Sequence, residues 1–195
     1  MSSMPQGPLA LDVGALSEGE RQELQALGLL SETGELRPGV PSVVSPGHRP
    51  IRKRPMSAPQ VLNEAFEYAR PSSFSRGMRV DLPGVTFLFI SGTASVDEQG
   101  RTIHKGDFRA QTWRTFRNIT KLLESEGATW HDVVRTTCYL RDIERDYQDF
   151  NEVRTAFYRA LGLNPLPAST AIQARICRED LLVEIEAIAM FETDR

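Results

Sequence analysis

Residues 181–190 read LLVEIEAIAM, and this stretch decides the fold. Side chains alternate across a β-strand, so Val183, Ile185, Ala187 and Ala189 share one face, with Glu184, Glu186, Ile188 and Met190 on the other. Just upstream, 170–176 reads as a partner strand, joined through the turn Cys177-Arg178-Glu179-Asp180. Further back, 147–161 places Phe150, Val153, Phe157 and Leu161 on one helical face, and Gly162 ends the helix. The strand before it, 133–140, alternates Val134, Thr136, Cys138 and Leu140 against Arg135, Thr137 and Tyr139. A longer helix runs from an Asp107 cap to about residue 126, with Phe108, Thr112, Phe116, Ile119 and Leu123 on one face. Ahead of it, 78–81 and 86–95 form two strands around the turn Leu82-Pro83-Gly84.

The order is therefore β-β-α-β-α-β-β, an α+β fold with a mixed sheet and two helices on one face. Phe87, Leu88, Phe89 and Ile90 are apolar at both parities, so both faces of their strand call for burial. The protomer has no element left for the second face. A homo-oligomer solves the problem, with binding sites at its subunit clefts.

Residues 1–60 differ in kind: they are rich in proline and hold one short helix, about 17–30, opened by a Ser17/Glu20 capping box. Residues 37–55 read as an extended, proline-broken linker, its Arg49, Arg52, Lys53 and Arg54 a solvated basic cluster. The ordered domain spans 70–191, preceded by a helical turn at 61–68. The N-terminal segment is expected to contact another protein or subunit.

Charge and composition exclude several functions. A 195-residue chain with 40% hydrophobic and 25% charged residues is ordinary for a globular protein, and a net charge of -3 gives no electrostatic reason to bind nucleic acid or an anionic membrane. No apolar run is long enough to span a bilayer, and no secretory leader is visible. The two cysteines, Cys138 and Cys177, read as reduced thiols, which makes the cytoplasm the expected location. His48, His104 and His131 are scattered without metal-site spacing, and no nucleotide-binding glycine motif is present. Neither metal nor cofactor is expected.

Taken together, Ile90-Ser91-Gly92-Thr93, the helix carrying Gln111 and Asn118, 133–142, Asn151 within FNEVRTAFY and VEIEAIA at 183–189 resemble the Rid (reactive intermediate deaminase, YjgF-like) family. The match in order and spacing covers roughly 120 residues, the size of one such module. The resemblance implies a chorismate-mutase-like protomer, a trimeric barrel and ligand clefts between subunits. It further implies a small carboxylated substrate. Deaminating members hydrolyse enamines and imines derived from amino acids, holding the carboxylate with an arginine just after a proline-small pair. Here that string is Pro167-Ala168-Ser169-Thr170, so Ser169 stands where the arginine would be. A hydroxyl supplies neither the charge nor the two-pronged fork of a guanidinium. The family's water-binding glutamate is matched by Glu184, whereas its early tyrosine is replaced by Phe74, which removes a hydroxyl. The segment ICREDLLVEIEAIA at 176–189, with GTAS at 92–95, is also similar to the Rid-like half of chorismatases, in which a cysteine and a glutamate keep the spacing of Cys177 and Glu184.

The expected site thus has Glu184 as acid or base, with Ser91, Gly92 and Phe74 shaping the pocket and Ser169, Cys177 and Asn151 lining it. If the strand runs through 177, Ser169, Arg175 and Cys177 share a face. Arg175 then brings a cation to the cleft, or else pairs with Glu184 or Glu186 at a subunit interface. Two functions are open: a cofactor-free hydrolase or lyase of an enamine, imine or enol ether, and a non-catalytic ligand-binding or regulatory protein.

Overall fold

The structure is a computed structural model that describes residues 11–37, 47, 49–69 and 71–193. Residues 38–46 and 48 of the linker expected across 37–55, and Arg70, lie outside the described residues. The chain divides into two compact units, 1–50 and 51–195.

Within the first unit, helix α1 spans Glu18–Ala26. Both arms of its capping box form: Ser17 Oγ accepts from the Glu20 N–H at 3.3 Å, and the Glu20 carboxylate accepts from the Ser17 N–H at 2.7 Å. The helix stops four residues short of the expected 30 because Gly28 turns into the left-handed region at φ 71°. Leu30 then bridges to Leu36 across a turn.

The second unit is one six-stranded sheet under two long helices. Its strands are β1 (Arg52–Pro55), β2 (Gly77–Leu82), β3 (Val85–Ala94), β4 (Val133–Leu140), β5 (Ala168–Gln173) and β6 (Val183–Glu192), in the spatial order β1-β2-β3-β6-β4-β5. All pairings are antiparallel except β4 with β5, so the sheet is mixed and open, with edges at β1 and β5. In the protomer the barrel is not closed. The expected element order is present, with one strand more: the basic segment read as a solvated linker pairs with β2, Arg52 opposite Asp81 and Pro55 opposite Met78. Arg54 reaches the almost wholly buried Glu126 carboxylate at 2.5 Å, and Arg79 joins it at 3.3 Å.

Helices α2 (Phe108–Ser125) and α3 (Ile143–Ala160) pack on one sheet face. Asp107 caps the first as expected, accepting from the Ala110 N–H at 2.9 Å. The second begins four residues earlier than 147, because Asp142 caps it by accepting from the Arg145 N–H. Leu161, expected on its apolar face, is instead the exposed C-cap. The core between helices and sheet is aromatic at one end: Phe116 stacks on Phe157 with ring centres 4.5 Å apart, and Trp130 meets Phe157 edge-on at 5.2 Å. Trp130 donates its indole N–H to Thr120 Oγ1.

The opposite sheet face carries no helix. Phe89, Ile172 and Met190 are exposed there, and Phe87 stacks beside Phe89. Helix-facing Leu88, Val183, Ile185 and Ala189 are fully buried. The two-faced apolar pattern of β3 therefore has only one face covered within the protomer.

Candidate functional site

Strand β6 lies in the middle of the sheet, between β3 and β4. Glu184 therefore rises from the open face with Ala94 on one side and Tyr139 on the other. Between Ile90 and Thr93 the ladder of β3 is broken by a bulge, which lifts Ser91 and Gly92 out of register. The space left by the missing side chain of Gly92 is filled by Glu184: a Cβ there would come within 2.1 Å of Glu184 Oε1 and 2.9 Å of its Cδ. Ser91 anchors the bulge by donating its hydroxyl to the Ser75 carbonyl at 2.8 Å and its N–H to the Arg76 carbonyl at 3.1 Å. That ties in the loop bearing Phe74, which is exposed and lies under the Arg76 guanidinium at 5.3 Å. Glu184, Gly92, Ser91 and the Phe74 loop are thus brought together.

Burial pushes the Glu184 carboxyl above the ordinary carboxylate range, and the charge of Glu186 two residues on adds to the effect. No ion-pair partner offsets this among the described residues. Burial likewise raises the Tyr139 hydroxyl, helped by the charges of Glu186 and Glu184. A carboxyl that is half-buried, unpaired and raised holds a proton more readily than an ordinary one, which suits it to proton transfer with water.

Two buried amides fix the framework below. Gln111 donates to the carbonyls of His104 (3.2 Å) and Asp180 (2.9 Å) and accepts from the Leu182 N–H at 2.9 Å, which locks the approach to β6 two residues before Glu184. Asn118 donates to the carbonyls of Ala94 and Val96, where β3 ends. Polar residues on an apolar helix face make sense here: they satisfy backbone groups that the ladder leaves free.

Ser169 lies elsewhere. It pairs with Thr136 on the helix-facing side of the sheet, where Thr136 Oγ1 donates to Ser169 Oγ at 3.0 Å. Arg154 of α3 also donates to Ser169 Oγ, at 3.1 Å, and to Asn151 Oδ1 one helical turn away. Asn151 and Ser169 are thus joined through Arg154, on the opposite face from Glu184. The expected alignment of Arg175 and Cys177 with Ser169 does not hold, because β5 ends at Gln173. The Arg141 guanidinium gathers the carbonyls of Ile176, Arg178 and Leu181 in the loop that follows. Arg175 and Cys177 are exposed in that loop. Sequence reasoning missed Tyr139 and Arg154. The available signal for Arg154 was its three-residue step from Asn151, which places both on one helical face.

The family described as Endoribonuclease L-PSP matches residues 69–191. The chain belongs to this family, the Rid/YjgF family. A RutC family protein of Pyrococcus abyssi is 37% identical over 106 residues, covering 54% of this chain and 80% of that protein. Another, of Saccharolobus solfataricus, is 33% identical over 116 residues, covering 60% and 85%. Among solved structures, the Escherichia coli YjgF gene product is 24% identical with a TM-score of 0.56, over 70% of this chain and 97% of that one. Escherichia coli TdcF, solved with bound serine, is 22% identical with a TM-score of 0.58, over 71% and 98%. At these identities the two structures show the fold. It is the α+β Rid/YjgF fold expected from the element order. As a Rid/YjgF protein the chain belongs among small-molecule-binding or deaminase-like proteins. Among the described residues no helix is long and apolar enough to cross a membrane.

Proposed function

We propose that this Rid/YjgF protein is a cofactor-free hydrolase of a small carboxylated imine or enamine, working at clefts between the subunits of a cytoplasmic homotrimer. The observation that carries the reading is the half-buried, unpaired Glu184 carboxylate seated over Gly92 at a strand bulge. An enamine first tautomerises to the imine. Glu184 then takes a proton from water as its oxygen attacks the imine carbon. Return of that proton to nitrogen gives a carbinolamine; transfer of its hydroxyl proton to nitrogen through the same carboxyl then breaks the C–N bond, so imine and water give a 2-oxo acid and ammonia. The same carboxyl could protonate an enol ether, a lyase reading that the Cys177/Glu184 spacing favours less now that Cys177 lies exposed in a loop.

Two features support assembly of more than one copy, and the trimer is the form the family resemblance implies. The open sheet face exposes Phe89, Ile172 and Met190, and Ser169 faces away from the Glu184 of its own protomer. A substrate that touches both needs two copies. RNA is a poor fit for this face, since Glu184 and Glu186 repel a phosphate backbone.

The test uses the imine generated in situ from serine by a dehydratase, following ammonia release above the spontaneous rate. Acceleration by the wild type, lost in Glu184→Gln with the oligomer intact, is the expected result. An unchanged rate in Glu184→Gln removes Glu184 from the chemistry. Tight carboxylate binding without acceleration by the wild type replaces the enzyme with a ligand-binding protein.

A further inference from the structure

We infer that Arg76 is a positioning residue for Glu184, its buried guanidinium clamping the Phe74 wall and, through the backbone, the Ser91–Gly92 bulge on which the carboxylate is seated. This role rests on the functional reading above and concerns the same site.

Arg76 stands immediately before β2, opposite the bulge of β3. Its carbonyl accepts from the Ser91 N–H at 3.1 Å, and the Ser75 carbonyl accepts from the Ser91 hydroxyl at 2.8 Å. Two consecutive residues thus carry Ser91, and next to it Gly92 leaves the volume that Glu184 fills. The Arg76 side chain reaches three further groups. Its Nε donates to the Asn63 carbonyl at 3.0 Å, and its guanidinium carbon lies 4.7 Å from the Tyr68 ring centre and 5.3 Å from that of Phe74. Tyr68 is fixed in turn: its ring fills the space over Gly100, where a Cβ would come within 2.4 Å of it. Asn63 is fixed by donating its N–H to the Glu98 carbonyl at 3.3 Å. One side chain therefore ties the turn around Gly100 to the wall of the pocket.

The burial is costly. Arg76 is 6% exposed, and its Nη2 has no hydrogen-bond partner. The neighbouring Glu64 does not take up the charge: neither of its oxygens has a partner of normal geometry, and burial pushes that carboxyl above its ordinary range. An apolar side chain of similar length would fill the space without burying a half-satisfied cation. It could not, however, bond a carbonyl with one edge while covering two aromatic rings with its plane. Such a cost is kept where the groups around a site must be held in one geometry.

Arg76→Met keeps the buried stem and removes the plane and the Nε donor, whereas Arg76→Lys keeps a cation and a donor. Hydrolysis of the serine-derived imine and amide hydrogen exchange are measured on the same full-length proteins, with melting curves to establish folding. Arg76→Met is expected to lose about 100-fold in kcat, the cost of displacing a reacting group by about 1 Å, with KM within a few-fold of the wild type. Exchange of the Ser91 amide should quicken about 10-fold or more, while the Ile185 amide in β6 keeps its protection. Arg76→Lys should recover kcat to within about 10-fold of the wild type. Tyr68→Leu opens the cage with Arg76 in place; it should show the same local quickening at Ser91, and it decides the matter if Arg76→Met does not fold. Wild-type kcat in folded Arg76→Met, unchanged exchange at Ser91, or exchange that rises equally at Ile185 overturns the role. A wild type that does not accelerate hydrolysis sinks the functional reading instead, and exchange at Ser91 then decides the clamp alone.

Discussion

The carboxylate of Glu184 occupies the volume that a side chain at residue 92 would need, with Oε1 only 2.1 Å from where a Gly92 Cβ would stand. The two residues therefore cannot be varied independently. Because Gly92 lies in a bulge and the clash is with the mobile end of a glutamate, the fold can accept a methyl group there by turning the carboxylate aside. Displacement of a reacting group by about 1 Å costs on the order of 100-fold in rate. Gly92→Ala is thus expected to lose about two orders of magnitude in imine hydrolysis while its melting temperature changes little. A large fall in melting temperature would show that the glycine serves the backbone instead.

Stability should report the raised Glu184 carboxyl. Between the ordinary carboxylate range and the raised value, the folded state binds more protons than the unfolded chain, so wild-type stability falls as pH rises through that window. Glu184→Gln carries no such penalty. It should melt above the wild type at about pH 7.5, the two curves meeting below about pH 4. A difference of the same size at both pH values would refute this.

Gln111 holds three backbone groups, two of them beside β6. Gln111→Leu keeps the bulk and strands the Leu182 N–H and the Asp180 carbonyl. The cost should be roughly 3 kcal/mol, since each unsatisfied buried group costs about 1–3 kcal/mol. Chemical denaturation measures it directly; a change under about 0.5 kcal/mol would mean that water replaces the amide.

The open sheet face should govern assembly. Phe89 is 43% exposed in the protomer and stacks on Phe87. Phe89→Asp places a charge in the middle of that apolar patch. Light scattering should show the mass falling to that of a protomer, with helix content unchanged. A variant that keeps the wild-type mass would move the interface elsewhere.

Much of the fold was legible because strands and helices here keep their periods. The alternation of 183–189 gave the buried Val183, Ile185, Ala187 and Ala189 correctly, and the Asp107 cap and Gly127 bounded α2. Strand β1 was not legible. Arg52-Lys53-Arg54-Pro55 has no apolar alternation, and its place is set by backbone pairing and by a carboxylate 72 residues away. The end of β5 was hidden for a similar reason: the loop beyond it is held by Arg141, a side chain from another strand end. In the candidate site, Glu184 with Ser91 and Gly92 could be named from local pattern, whereas Arg154 acquires meaning only when α3 is laid across β5.

The basic first strand has a further effect on the life of the molecule in a crowded solution. Without it, β2 would show a row of free N–H and C=O groups along a long, flat edge, a template on which another chain could add a strand. With it, the outermost edge is four residues long, carries Arg52 and Lys53 in solvent, and ends in Pro55, which has no N–H to offer. A second copy approaching that edge meets like charge and an interrupted ladder. The segment that looks least like structure in the sequence guards the sheet against aggregation.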